Sequence, residues 1–478
     1  MSTPTTARHD EIDPGRTEQA ASFRWRLVSL ALPMLLASLG SSIATVGLPT
    51  LAQAFGASFQ AAQWIVLAYL LAITTLIVGA GRLGDIIGRR RLLLAGVLLF
   101  TAASLLCGVA ASFWLLIAGR ALQGLGAAIM MALTMALVGD MVAKERTGRV
   151  MGLLGSMSAI GTALGPSLGG VLIAELGWRA IFLLNLPLGG LTLLLAHRYL
   201  PAERQAPQAD SGGFDMLGTL LLALTLGAYA LAMTLGRGGF GPLNMALLLA
   251  AVVGVGLFLR VESTAASPLI RLALLRDPVL SAGLAMSMLV STVLMATLVV
   301  GPFYLSRALG LDALGVGLAL SSGPLLAALA GVPAGLIVER HGAKRMTLAG
   351  LCAMAVGCSL LALLPETLGV AGYVIPILLT TASYALFMAA NNTAVMSDIR
   401  NEQRGVIAAL LSLSRNLGLI TGASVMGAVF ACASATNDIT MAQPAAVAAG
   451  MRSTFAVALL LIAVALAAAA AGRARSWQ

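Results

Sequence analysis

Charge is what this sequence has least of. Asp, Glu, Lys and Arg make up 10% of its 478 residues, against about 25% in soluble domains, which excludes an ordinary water-soluble enzyme. Histidine is almost missing: His9, His197 and His341 are all there is, in the N-terminal tail or at the edges of apolar runs. Cysteine is as sparse. Cys107, Cys352, Cys358 and Cys432 fall inside apolar runs without metal-ligand spacing, so they read as small buried hydrophobes rather than a zinc site or disulfide framework. With no nucleotide loop, metal cluster or nucleophile–base pair, we expect no enzymatic chemistry, no metal and no cofactor.

What fills the chain is apolar. Hydrophobic residues are 59% of it, and mean hydropathy is +0.95. A bilayer core about 30 Å thick needs roughly 20 apolar residues of helix. Fourteen runs qualify: 27–50, 62–80, 91–112, 113–138, 148–174, 179–199, 216–235, 243–260, 278–305, 313–339, 345–365, 370–395, 404–432 and 452–472. They are continuous rather than short and alternating, which excludes a membrane β-barrel. Residues 1–26 are polar and mixed in charge, without the apolar core of a cleavable signal; they are expected to form a disordered tail ahead of an uncleaved anchor.

An even number of spans puts both termini on one side, and Lys and Arg choose which. Twenty-three of the 29 lie in the tails and in connections 2–3, 4–5, 6–7, 8–9, 10–11 and 12–13; only Arg179, Arg237, Arg307 and Arg452 lie opposite, and Arg120 and Arg415 lie within spans. Both termini are therefore expected in the cytoplasm, with the chain in the cell (inner) membrane. This dispersal of a +10 net charge also argues against nucleic acid as a partner.

The chain repeats itself. Connection 2–3 runs Gly81, Asp85, Gly88, Arg89, Arg90, and connection 10–11 runs Gly335, Glu339, Gly342, Lys344, in one register. Gly161, Gly165 and Gly170 of span 5 match Gly418, Gly422 and Gly427 of span 13, and Asp140 and Arg146 match Asp398 and Arg404. Spans 1–6 thus correspond to spans 9–14. The expected organisation is a tail (1–26), a six-helix bundle (27–199), a linker (200–215), two inserted spans (216–260), a second linker (261–277), a second six-helix bundle (278–472) and a short cytoplasmic tail (473–478).

These motifs resemble the major facilitator superfamily. Gly81–Arg91 is similar to its loop 2–3 signature, and Arg120-Ala-Leu-Gln123-Gly124 to its membrane-embedded arginine motif. Gly161-x-x-x-Gly165-Pro166-x-x-Gly169-Gly170 is similar to its antiporter motif. Trp178-Arg179-x-Ile181-Phe182-x-x-Asn185-x-Pro187-x-Gly189 and the fourteen spans resemble the drug:proton antiporter-2 family, over about residues 27–472. The resemblance implies an all-α integral membrane protein of major-facilitator type, two six-helix bundles plus two inserted helices. It also implies a monomer exporting small hydrophobic compounds in exchange for protons, with Arg120 in the proton relay.

The residues carry physical readings of their own. Gly81 and Gly88 allow tight turns, Asp85 sits near the positive end of the next helix, and Arg89 and Arg90 can pair with acids such as Asp140, latching one conformation; the plainer alternative is charges that only set topology. Arg120 lies roughly 10 Å inside span 4, where a charge is costly and by default functional, the alternative being helix–helix glue. Gly161, Gly165, Gly169 and Gly170 make a flat face for close packing, and Pro166 permits a kink. Ser41, Ser42, Thr45, Tyr69, Gln123, Asn391, Asn392 and Arg415 are candidate substrate contacts, though packing explains buried hydroxyls as well. Tyr384, Phe387 and the 21 methionines are either pocket or core.

The family commonly places an aspartate in span 1 where this chain has Gly40, and none of the 19 acids falls securely within a span. A proton-coupled carrier ordinarily uses a buried carboxylate whose pKa desolvation raises; arginine stays charged. Lipophilic substrates that are neutral or anionic therefore fit better than cations. The expected function is secondary active export of lipophilic small molecules such as drugs, antibiotics and toxic compounds by alternating access, with the proton coupling that the resemblance implies; the alternative is a metabolite facilitator or symporter on the same scaffold without a multidrug role.

Overall fold

The structure is a computed structural model that describes residues 14–141, 144–201, 215–235, 241–265, 276–363, 365–396, 404–434 and 442–475. The side chains of residues 14–23 and of Asp85, Asp140 and Arg404 lie outside what is described, so the pairing expected of Asp85 and Asp140 does too.

Fourteen helices are long and apolar enough to cross a bilayer. Spans 1–6 are Arg24–Val46, Phe59–Ile77, Arg89–Gly108, Phe113–Val138, Leu153–Leu176 and Ala180–Tyr199; spans 7 and 8 are Met216–Thr234 and Pro242–Thr264. Spans 9–14 are Pro278–Ala308, Ala313–Gly331, Ala343–Leu363, Gly369–Met396, Leu410–Ala433 and Pro444–Ala470. Polar residues at the ends start these helices. Ser58, Asp215, Asp277 and Asp312 each accept a backbone N–H of the first turn, at 2.7–3.2 Å, satisfying donors the helix leaves open. Several acids are thus spent as caps.

Local breaks differ from the hydropathy reading. The first helix begins at Pro14, inside the stretch expected to be disordered. Run 27–50 is two helices: the first stops at Val46, and Leu48–Phe55 follows with Pro49 in its opening turn, where a missing N–H costs nothing. Gly81 is no turn. The helix of span 2 continues through it to Ile87, and the chain turns at Gly88, whose φ of 106° suits glycine. Asp85 accordingly sits in the last turn of the span 2 helix rather than at the start of the next. Gly342, the counterpart of Gly88, also has positive φ, 86°. The helix through Pro166 runs unbroken from Lys144 to Leu176. Cys107 and Cys358 are buried, but Cys352 and Cys432 are exposed on the outer faces of their helices, so only two of the four are core hydrophobes.

The same packing scheme occurs twice. Span 1 packs on spans 5 and 6, span 2 on span 4, span 3 on spans 4 and 6; span 9 packs on spans 13 and 14, span 10 on span 12, span 11 on spans 12 and 14. Register repeats as well. A Cβ on Gly161 would meet Leu35 O and Ser38, and one on Gly418 would meet Met288 O and Ser291. Spans 7 and 8 pack on each other, and span 7 also contacts span 2 and the π-helical turn Gly422–Met426 of span 13. Trp64 of span 2 donates to the Thr234 hydroxyl of span 7 at 3.0 Å.

Candidate functional site

Arg120 is fully buried in span 4. Its Nε donates to Ile65 O of span 2 at 2.8 Å, and Nη1 donates to Gly40 O of span 1 at 2.9 Å and to the Gln123 side chain. The guanidinium lies 4.3 Å from the Tyr69 ring centre, a cation–π arrangement. Gln123 donates onward to Ser104, and the Tyr69 hydroxyl donates to Ala37 O at 2.6 Å. Carbonyls and an aromatic face thus solvate the charge where a carboxylate would be usual. At Gly40 a Cβ would meet the Phe100 ring at 2.8 Å; Phe100 fills the volume an acid would need.

Between the two six-helix groups lies a cavity of about 420 Å³. Its described lining comes from spans 1, 2, 4 and 5 on one side and spans 9, 10, 12 and 13 on the other, counterpart for counterpart. The first wall is rich in hydroxyls, Ser38, Ser41, Ser42, Thr45, Ser158 and Thr162; the second presents Thr297, Tyr373, Thr381, Tyr384, Arg415 and Asn416. Aliphatic side chains, methionine, proline and glycine fill the rest. Arg415 is the one charged residue among those described as lining it.

Of the candidate substrate contacts, Ser41, Ser42, Thr45 and Arg415 line this cavity. Tyr69 and Gln123 are instead packed around Arg120, and Asn391 is buried with its amide donating to Gly283 O at 3.1 Å. Asn392 is exposed on span 12, and Phe387 is fully buried; neither is in the described lining. Ser38, Ser158, Thr162, Thr381 and Asn416 went unread in the sequence. A signal existed for some: Ser38, Ser41, Ser42 and Thr45 share one helical face, as do Ser158, Thr162 and Pro166.

The glycine motif of span 5 divides its work. Gly161, Gly165 and Gly169 meet span 1, where Ser42 donates to Gly161 O at 3.2 Å. Gly170 faces span 10: a Cβ there would lie 3.1 Å from Gly317 Cα, and one on Gly317 would meet Pro166 O. This contact sits at the end of the bundle away from the termini. Phe59 of span 2 joins it, stacked edge-on against Phe303 of span 9 (4.8 Å) and tilted against Phe430 of span 13 (5.2 Å). All three rings are buried. On the same two spans but toward the termini, Gly155 and Gly331 have open space beside them. At the terminus-bearing end Arg89 donates to Ala136 O of span 4 and Arg90 to His197 O of span 6, binding the turn at Gly88 to its neighbours.

A family model described as Major Facilitator Superfamily matches residues 30–423 and 287–477. The chain is 31% identical over 401 residues to the uncharacterized transporter YebQ of Escherichia coli, covering 84% of this chain and 87% of that one. It is 32% identical over 409 residues to the multidrug resistance protein Stp of Mycobacterium tuberculosis, covering 85% and 75%. Among solved structures, a bacterial homolog of the human lysosomal transporter Spinster, crystallised inward-facing and unoccupied, is similar with a TM-score of 0.70 at 16% identity, over 95% of this chain and 97% of that one. With fourteen apolar helices in two matching groups around a shared cavity, the chain belongs to the Major Facilitator Superfamily and is a multi-pass membrane transporter of small molecules.

Proposed function

We propose that the chain is a monomeric secondary exporter of lipophilic small molecules, held in the inner membrane with both termini cytoplasmic. Two bodies, residues 27–199 and 278–472, rock about the cavity so that it opens to one side at a time. The observation that carries this reading is the asymmetry of the seam: Gly170 against Gly317 and Phe59 against Phe303 and Phe430 close one end, while Gly155, in the cavity lining, meets nothing toward the other. With the termini in the cytoplasm, the described state is inward-facing. The likeness to Stp supports an efflux role. The end of the span 2 helix with Gly81 and Asp85, the turn at Gly88 with Arg89 and Arg90, and Asp140 together serve as the cytoplasmic latch, and the span 5 glycines with Pro166 as the outer seal.

Inside-out vesicles bearing the full chain should accumulate lipophilic dyes faster than vesicles from a deletion strain. Equal accumulation over a panel of dyes and antibiotics would end the export reading. One observation favours a second reading, transport of a metabolite without protons: no acid is among the described residues lining the cavity. Under proton antiport, collapsing the pH gradient stops uptake; under the second reading it does not.

A further inference from the structure

We infer that the cavity selects amphiphiles bearing one negative charge, with Arg415 as the residue that recognises the anionic group. The inference rests on the cavity being the transport site and adds the charge of its cargo. Three observations meet here. Arg415 stands in the cavity wall, the one charge among the described lining residues. Tyr384 lines the same wall of the cavity, so a phenol and a guanidinium, with its fork of fixed donors, are both presented on this side; that donor set suits a carboxylate or sulfonate. The opposite wall has Ser38, Ser41, Ser42, Ser158 and Thr162, uncharged hydroxyls of which Ser38 and Ser158 bond each other and Ser42 and Thr162 donate to backbone carbonyls.

The second arginine strengthens the bias. Arg120 is fully buried directly behind the first wall, since its acceptor Gly40 adjoins Ser41 in the chain, and its described partners are neutral. Each half therefore contributes one cation to the middle of the molecule, and the described lining returns no anion. In a medium of low dielectric such charges act over longer distances than in water. A cation entering this space meets repulsion, and an anion supplies the missing counter-charge. The remaining wall, with Leu70, Ile73, Met131, Leu294, Leu320 and Leu419, receives an apolar body, and about 420 Å³ lies in the range of small-molecule sites.

The test uses two probes that differ by one group, 8-anilino-1-naphthalenesulfonate and the neutral N-phenyl-1-naphthylamine, with ethidium as the cation. Binding to the purified full chain in nanodiscs is measured by equilibrium dialysis against empty nanodiscs, with size-exclusion behaviour as the folding control. The wild type should bind the sulfonate at least tenfold more tightly than the neutral amine. Arg415→Gln should bring that ratio below about three, and Arg415→Lys should leave it in between. A wild-type ratio near one, a ratio untouched by Arg415→Gln, or ethidium binding more tightly than the sulfonate overturns the inference. A vesicle assay separates this from the export reading, using Gly323→Trp to fill the cavity beside Ile377 and Thr381. If ethidium or the amine is pumped and Gly323→Trp stops it, without sulfonate preference, export stands and the anion inference falls. If the sulfonate preference holds while no probe is pumped, the inference stands and the export reading falls.

Discussion

A guanidinium kept charged inside a bilayer has to be solvated by the protein, and at Arg120 two backbone carbonyls, one amide side chain and one aromatic face do it. Hydrogen bonds to charged groups contribute about 1.5–3 kcal/mol each. Arg120→Ala removes the donor from spans 1 and 2 at once and should destabilise the fold by about 3 kcal/mol or more, read as a fall in the unfolding midpoint in nanodiscs. Arg120→Lys, a point charge without the fork, should recover less than half of that loss. An unchanged midpoint in the alanine variant would leave the network without structural weight. Gly40→Asp drives a side chain into the Phe100 ring and should lower the midpoint, whereas adding Phe100→Ala should restore part of it; additive losses would show that the two positions do not share this volume. The charge in span 4 was legible in the sequence, because no apolar run hides an arginine. Its partners were not. Tyr69 and Gln123 face Arg120 rather than the cavity because of how spans 2 and 4 are rotated, and rotation follows from packing over the whole bundle. Ser41, Ser42 and Thr45 were legible because polar residues recurring at helical spacing mark a face.

Glycines in these helices decide which surfaces touch. Gly165 and Gly170 are one turn and a residue apart yet meet different neighbours: a Cβ at Gly165 would strike Ser42 within the same half, and one at Gly170 would press on span 10 of the other half. Gly165→Val should therefore lower thermal stability. Gly170→Val should leave the midpoint within a few degrees but abolish uptake into inside-out vesicles, since it obstructs the seal that opens and closes. Matching effects on stability and transport at both sites would contradict this division. Span positions themselves followed from hydropathy, because about twenty apolar residues of helix are a bulk property that survives local error. The breaks did not. Gly47 interrupts a run that is apolar on both sides, Gly81 stays helical where Gly88 turns, and the π-helical turn at Gly422–Met426 leaves no mark in composition. Each depends on a few backbone angles, to which hydropathy is blind.

At the scale of the molecule, the duplicated pattern of glycine, acid and base was enough to pair span 1 with span 9 and span 5 with span 13, and the packing of both pairs repeats in register. An even count of fourteen spans predicts both ends of the chain on one side of the membrane. Reporter fusions check which face: a fluorescent protein at either terminus should light up, and an alkaline phosphatase at the C-terminus should stay inactive. Opposite signals from the two termini would remove the even number of spans and the inward-facing reading with it.

The inserted pair changes what that rocking can do. Span 7 leans on span 2 of one half and on the π-helical turn of span 13 in the other, tied to the first by Trp64 and Thr234. It therefore stands like a shutter over one flank of the seam, while the flank between spans 5 and 10 has no such cover among the described residues. A hydrophobic solute dissolved in the leaflet would therefore meet two unlike flanks, one backed by span 7 and one where spans 5 and 10 pack directly on each other.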